Sequence, residues 1–219
     1  MKLVRFIICL CILSGQYTLM AQSNDSATEK NILSQPRYLR VHFLYGSKPS
    51  PRYKFIEPTW FGGRMGGHVG IGIDSSHILN FVHRGSFHLI TSKQNKHSCY
   101  ILSTPSKFYS ILGGDCRKVK TLTIFIPIKE GQIQKLDSIS KAYLTEPPYD
   151  YAFLGMRCGA ASYDLLAQLE ILPRYSYRKT SLKIFYPKLL RRQLLQIAEQ
   201  NGWQMIRQEG SDHRMWETD

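Results

Sequence analysis

The sequence predicts an α+β fold, and three observations carry that reading. In the first half of the chain apolar residues alternate with period two, the mark of strands, and two such runs flank a three-residue turn. In three later segments apolar residues recur at helical spacing. The two kinds of segment follow one another irregularly, unlike the strict alternation of a doubly wound parallel sheet. With 219 residues, 43% hydrophobic and 21% charged, the chain has the composition of one folded domain, which excludes disordered, collagen-like and repeat architectures.

In chain order, Lys2 and Arg5 precede an apolar run over 6–13, and small or weakly polar residues continue to Ala21. This reads as a signal peptide over 1–21 that directs the protein to the periplasm or the cell exterior. The run is shorter than the about 20 residues a membrane helix needs, and no later stretch reaches that length, so no transmembrane segment is expected after cleavage. Residues 22–36 are polar and end in Pro36, a linker, and the domain proper spans 37–219. A first strand is expected over 38–45, then a loop ending in four glycines within 61–67. Strands over 68–73 and 77–83 form a hairpin around Asp74-Ser75-Ser76. Alternation puts Val69, Ile71 and Ile73 on one face of its first strand and His68, Gly70 and Gly72 on the other, a bare face that leaves room for an element packed near the imidazole. A strand over 119–128 hands over to a helix over 130–144. A second helix is expected over 158–172, stopped by Pro173, and a third from Pro187 to Gly202, followed by a strand over 203–207.

The net charge of +13 falls to +11 once Lys2 and Arg5 leave with the signal peptide, which contains no acidic residue. Lys and Arg are dispersed rather than gathered in a stripe, so nucleic acid is not an expected partner; anionic envelope material, peptidoglycan peptide or lipid, is. A monomer is expected. Three cysteines remain after processing, and Cys99 and Cys116 can bridge, leaving Cys158 as the odd thiol. No C-x-x-C pair, P-loop, dinucleotide fingerprint or H-E-x-x-H occurs, so neither a metal nor a cofactor is expected.

Cys158 opens the second predicted helix on its buried face, where unpaired N–H groups and the helix dipole favour the thiolate. A nucleophilic thiol needs a base, and the base needs a polar group to fix its tautomer. His68 fills the first role, and Asn80, one hairpin strand away, the second; His77 and His83 face away unless a bulge flips the register. Tyr149, Asp150 and Tyr151 precede the thiol and are expected to line its cleft, with Trp60, Arg64 and Met65 forming the opposite wall. Arg64, Arg157 and Lys118 are expected to engage substrate carboxylates.

Gly67-His68-Val69-Gly70-Ile71, the hairpin with its polar residue, and Pro148-Tyr149-Asp150-x-x-Phe153 leading to Cys158 resemble the circularly permuted (YiiX-like) NlpC/P60 group of papain-like proteins, in which the histidine strand precedes the cysteine helix. The resemblance implies a papain-like α+β fold, a small antiparallel sheet packed against the cysteine-bearing helix, with Cys158 as nucleophile, His68 as base and Asn80 as orienting residue. It departs from that group where Gly159-Ala160 follow the cysteine in place of Ser-Glu, and where Asn80 stands at an often acidic position. The expected activity is a thiol hydrolase cleaving an amide of envelope peptide. The alternatives are a lipid acyl hydrolase or acyltransferase, and a non-catalytic envelope-binding module.

Overall fold

The computed structural model describes residues 37–61 and 66–219. The expected signal peptide and linker, and Arg64 and Met65 of the glycine-rich loop, lie outside the described residues. Residues 37–219 form one compact unit. Its strands are β1 (Arg37–Leu44), β2 (Ser47–Pro49), β3 (His68–Gly72), β4 (Ile78–His83), β5 (Ser98–Ser103), β6 (Thr121–Ile128), β7 (Met205–Gln208) and β8 (Arg214–Trp216). Its helices are α1 (Pro105–Tyr109), α2 (Glu130–Thr145), α3 (Cys158–Gln168), α4 (Tyr177–Lys183) and α5 (Pro187–Asn201). Six strands make an antiparallel sheet in the order β5-β4-β3-β1-β6-β7, and β2 pairs with β8 apart from it.

The two faces of the sheet are covered unequally. On one, Val41, Phe43, Val69, Ile71, Leu79, Phe81, Leu122 and Ile124 join Ala161 and Leu165 of α3 and Leu190 and Leu194 of α5 in the main core. On the other, the five-residue helix α1 places Phe108 against Leu44, Ile78 and Val119. The bare glycine face does admit an element beside the imidazole, and that element is α1. A Cβ on Gly70 would collide with Ile78 and Phe108, and one on Gly72 with His42 and Arg40, so the glycines admit α1 and the neighbouring strand. The cysteine helix packs on the opposite, Val69 and Ile71 face.

Local chemistry explains most boundaries. Asp74 Oδ1 accepts from the Ser76 and His77 amides at 2.6 and 2.7 Å, closing the β3–β4 turn. Pro187 opens α5, and Gly202, in the left-handed region at φ 64°, closes it. α3 is shorter than the 158–172 expected. Glu170 takes φ 61°, the Ile171 amide bonds the Leu166 carbonyl and the Glu170 amide that of Ala167, a Schellman turn that ends the helix while leaving Leu169 and Leu172 buried. β5, α1, α4, β2 and β8 are additions to the sequence reading. They are short, and the polar edge residues of β5 and α4 mask any periodic signal. Cys99 and Cys116 are both free, so the bridge that the sequence permits is not formed.

Candidate active site

The site forms where the first residue of β3 meets the first residue of α3. Gly67, at φ 69°, turns the chain into β3 where a Cβ would overlap the Leu44 carbonyl, so the residue ahead of His68 has to be glycine. The strand pairing that sets Ile71 opposite Leu79 and Gly72 opposite Ile78 places Asn80 on the same face as His68, and His68 Nε2 lies 3.1 Å from Asn80 Oδ1. The Asn80 amide is oriented by its own donors. Its Nδ2 bonds the Ile78 and Ile101 carbonyls, each at 3.2 Å, and Ser103 Oγ at 3.1 Å, which leaves Oδ1 to accept from the ring. Nε2 therefore carries a proton, and Nδ1 is the nitrogen left for the sulfur.

Cys158 is 4% exposed, His68 6% and Asn80 1%, so the three meet away from bulk water. Burial alone would raise the thiol pKa. The charge and hydrogen bond of His68, the charge of Arg157 and the Val69 amide outweigh it and bring the thiol below its ordinary range. Burial alone would likewise lower His68, and the charge and hydrogen bond of Cys158, with the Asn80 bond, carry it above the usual histidine range. Both shifts favour the same pair, thiolate and imidazolium. Phe108 covers the imidazole with ring centroids 5.4 Å apart.

Tyr151 joins this group. Its hydroxyl neighbours Cys158 and Arg157, and burial, followed by the sulfur's charge, holds its pKa far above the ordinary tyrosine value, so it stays protonated. Its ring stacks on Phe81 at 5.3 Å. Arg157, one residue before α3, lies with its guanidinium carbon 5.6 Å from the Phe153 ring centroid and 5.0 Å from those of Phe185 and Tyr186. Its Nε and Nη1 are buried without a hydrogen-bond partner, so the group acts through its charge on the thiol and does not face outward as a carboxylate ligand.

The other expected cleft residues go elsewhere, for physical reasons. Tyr149 is buried, its hydroxyl 2.6 Å from that of Tyr100, and it serves packing. Asp150 is 2% exposed and accepts from His88 Nδ1 and the Ser92 and His97 amides, so it organises the loop between β4 and β5 instead of meeting substrate. Trp60 lines a cleft of about 140 Å³ with Lys48, Met215 and Trp216, and Lys118 one of about 330 Å³ with Phe61 and Arg214; neither cleft includes Cys158, His68 or Asn80. Among the described residues no group of His, Cys, Asp and Glu is arranged to hold a metal ion.

Sequence reasoning missed one buried polar group on the glycine face. His42 Nδ1 lies 2.8 Å from Tyr109 Oη and 3.2 Å from Thr123 Oγ1, and burial, aided by the charge of Arg40, lowers its pKa to about 4. His42 is therefore neutral at physiological pH. Strand alternation pairs it with Gly70 across β1 and β3, a signal visible only once those strands are known to be neighbours.

No family model matches this chain, and no curated protein or solved structure matches it either.

Proposed function

We propose that the protein is an exported thiol hydrolase that passes an acyl group through Cys158, on a papain-like scaffold of the permuted NlpC/P60 kind. The observation that carries this is the convergence of Cys158, His68 and Asn80, with the thiol pKa drawn down and the imidazole pKa drawn up. The thiolate attacks the carbonyl carbon, forming a C–S bond while the carbonyl π electrons move to oxygen. The unpartnered amides of the first turn of α3 and the protonated Tyr151 hydroxyl supply donors where that negative charge develops. Collapse expels the alcohol or amine, protonated by the His68 imidazolium, and leaves a thioester. Neutral His68 then takes a proton from water, whose oxygen attacks the thioester, and the acid leaves as the thiolate returns.

The surroundings bear on the bond that is cut. A peptide amide is supported by the basic surface, but Lys118 lines a cleft that does not include Arg157, whose guanidinium is enclosed by Phe153, Phe185 and Tyr186. An acyl ester or amide of an amphiphile is supported by a specific observation: exposed Phe87 lies beside Tyr151, ring centroids 6.3 Å apart, and opens an apolar surface next to the thiol. We take the acyl-chain substrate as the better reading. The test is incubation of the chain from Gln22 onward, and its Cys158→Ala variant, with short and long acyl esters and, separately, with purified peptidoglycan. Cysteine-dependent release that grows with acyl length supports the reading. Release from peptidoglycan alone assigns the site to envelope peptide, and no cysteine-dependent release from either leaves a binding module.

A further inference from the structure

The surface beyond Tyr151 exposes large apolar side chains that the catalytic scheme does not use. Phe87 is 53% exposed, Leu89 61% and Ile90 69%, all in the loop between β4 and β5, while Phe153 is 38% and Leu154 59% exposed in the segment before α3. The two stretches run side by side, because the Phe153 and Leu154 amides donate to the His88 and Leu89 carbonyls, both at 2.9 Å. They form one contiguous rim. It begins one aromatic ring from the sulfur, since Phe87 adjoins Tyr151 and Tyr151 neighbours Cys158.

The rim is held outward by polar bonds behind it. The buried Asp150 carboxylate accepts from His88, Ser92 and His97, and His97 Nδ1 bonds the Ser86 carbonyl at 2.7 Å, so the loop is anchored on either side of Leu89 and Ile90. A loop fixed from within presents its apolar residues without an ordering cost when it meets a partner. The charge on the loop itself is basic, although Lys96 at its far end is paired with Glu146 at 3.2 Å. From Ser75 to Gly114 the chain contains Arg84, Lys93, Lys96 and Lys107 and no acidic residue, and none occurs between Asp150 and Asp164. Arg84 and Lys93 are exposed on either flank of the rim, and exposed Arg178 follows Tyr177, whose hydroxyl lies with Thr91 of the same loop beside Gly155.

We propose that this rim docks the protein on an anionic lipid bilayer, with Phe87, Leu89, Ile90 and Leu154 entering the boundary between headgroups and acyl chains and Arg84, Lys93 and Arg178 resting on headgroup phosphates. Aliphatic tips with no polar group suit hydrocarbon, and the exposed Arg84, Lys93 and Arg178 suit a charged interface. Docking brings the thiol to the surface from which an acyl-chain substrate would come. The inference deepens the acyl hydrolase reading, and it is tested without turnover so that the two can fail separately.

The experiment is co-sedimentation of the chain from Gln22 onward, carrying Cys158→Ala, with vesicles of phosphatidylcholine alone and of phosphatidylcholine with phosphatidylglycerol. This chain contains the whole compact unit. The parent is expected to bind the anionic vesicles. A Phe87→Ser, Leu89→Ser, Ile90→Ser variant, checked by circular dichroism, should bind on the order of tenfold or more weakly. Arg84→Gln with Lys93→Gln should weaken binding by about fivefold for each charge at low salt, with the difference shrinking at high salt. No binding of the parent to anionic vesicles overturns the proposal. So does equal binding of the rim variant, which would assign the contact to charge alone.

Discussion

Two buried charged sites in this molecule are built oppositely. At the C terminus, Arg191 is fully buried and bonded through each of its three nitrogens: Nε bonds Asp219 Oδ1 and Nη1 bonds Glu217 Oε1, each at 2.9 Å, Nη2 reaches the Thr218 carbonyl at 3.3 Å, and the guanidinium lies 3.7 Å over the Tyr45 ring. Tyr45 and Arg207 bind Asp219 as well. At the candidate active site, the Cys158 sulfur has fixed donors in the Val69 amide and the protonated Tyr151 and one partner, His68, with which it can exchange a proton. A buried guanidinium bonded through all three of its nitrogens to one short stretch of chain holds that stretch in place. A buried sulfur with a partner that exchanges a proton with it is poised for chemistry.

Substitutions break the comparison at its strongest points first. Cys158→Ala or His68→Ala is expected to lower acyl hydrolysis by about 10⁴-fold while leaving thermal unfolding nearly unchanged, read from kcat/KM and a melting curve. Arg191→Ala should do the reverse. Removing one partner from a buried ion pair costs about 3–5 kcal/mol, because the Glu217 and Asp219 carboxylates lose their counterion, and urea denaturation should show it. Iodoacetamide labelling of Cys158 in the folded fraction should stay as it was. If Arg191→Ala changed the labelling rate as much as His68→Ala, the two sites would not be independent.

A smaller effect tests the orienting residue. Asn80→Ala removes the acceptor on His68 Nε2 and frees the ring tautomer, with an expected loss on the order of 10²-fold in kcat and little change in KM. The pH profile sharpens the point. Because the thiol pKa is lowered and the imidazole pKa raised, the thiolate–imidazolium pair is lost on the acid side as Cys158 protonates and on the alkaline side as His68 deprotonates. The rate of labelling should persist below the pH of an ordinary thiol, and His68→Ala should move its onset upward. A profile identical in the mutant would remove His68 from the mechanism.

The gentlest prediction concerns Asp150. Burial alone would raise its pKa, but the bonds from His88, Ser92 and His97 outweigh burial and lower it. A carboxylate lowered in the folded state stabilises above its unfolded pKa and loses that contribution as pH falls through the folded one. Asp150→Asn should therefore flatten the acid limb of the stability curve and lower stability by about 1–3 kcal/mol at neutral pH, measured by urea denaturation across pH. It should also loosen the apolar rim, seen as faster amide exchange over residues 86–97.

The sequence by itself determined the local elements and the chemical inventory. Alternation over 68–83 and the stripes at 130–144 and from Pro187 are periodic, so each segment declares which face is apolar without reference to the rest of the chain, and the α+β class follows. The pairing of His68 with Asn80 was legible for the same reason, since hairpin register is a local property. Tertiary structure decided what no local signal encodes. Only the assembled sheet shows that Gly70 and Gly72 admit Phe108 and His42 while α3 covers the Val69 side, because both faces of β3 are buried and alternation cannot say by what. Of three consecutive residues, Tyr149 went to the core, Asp150 to the loop and Tyr151 to the thiol, because each was claimed by a partner 49 or more positions away or by a sulfur on another element. The free state of Cys99 and Cys116, the bonding of Arg191 to the last residues and the exposure of the rim are likewise sums over long-range contacts, and the chain acquires them only on folding.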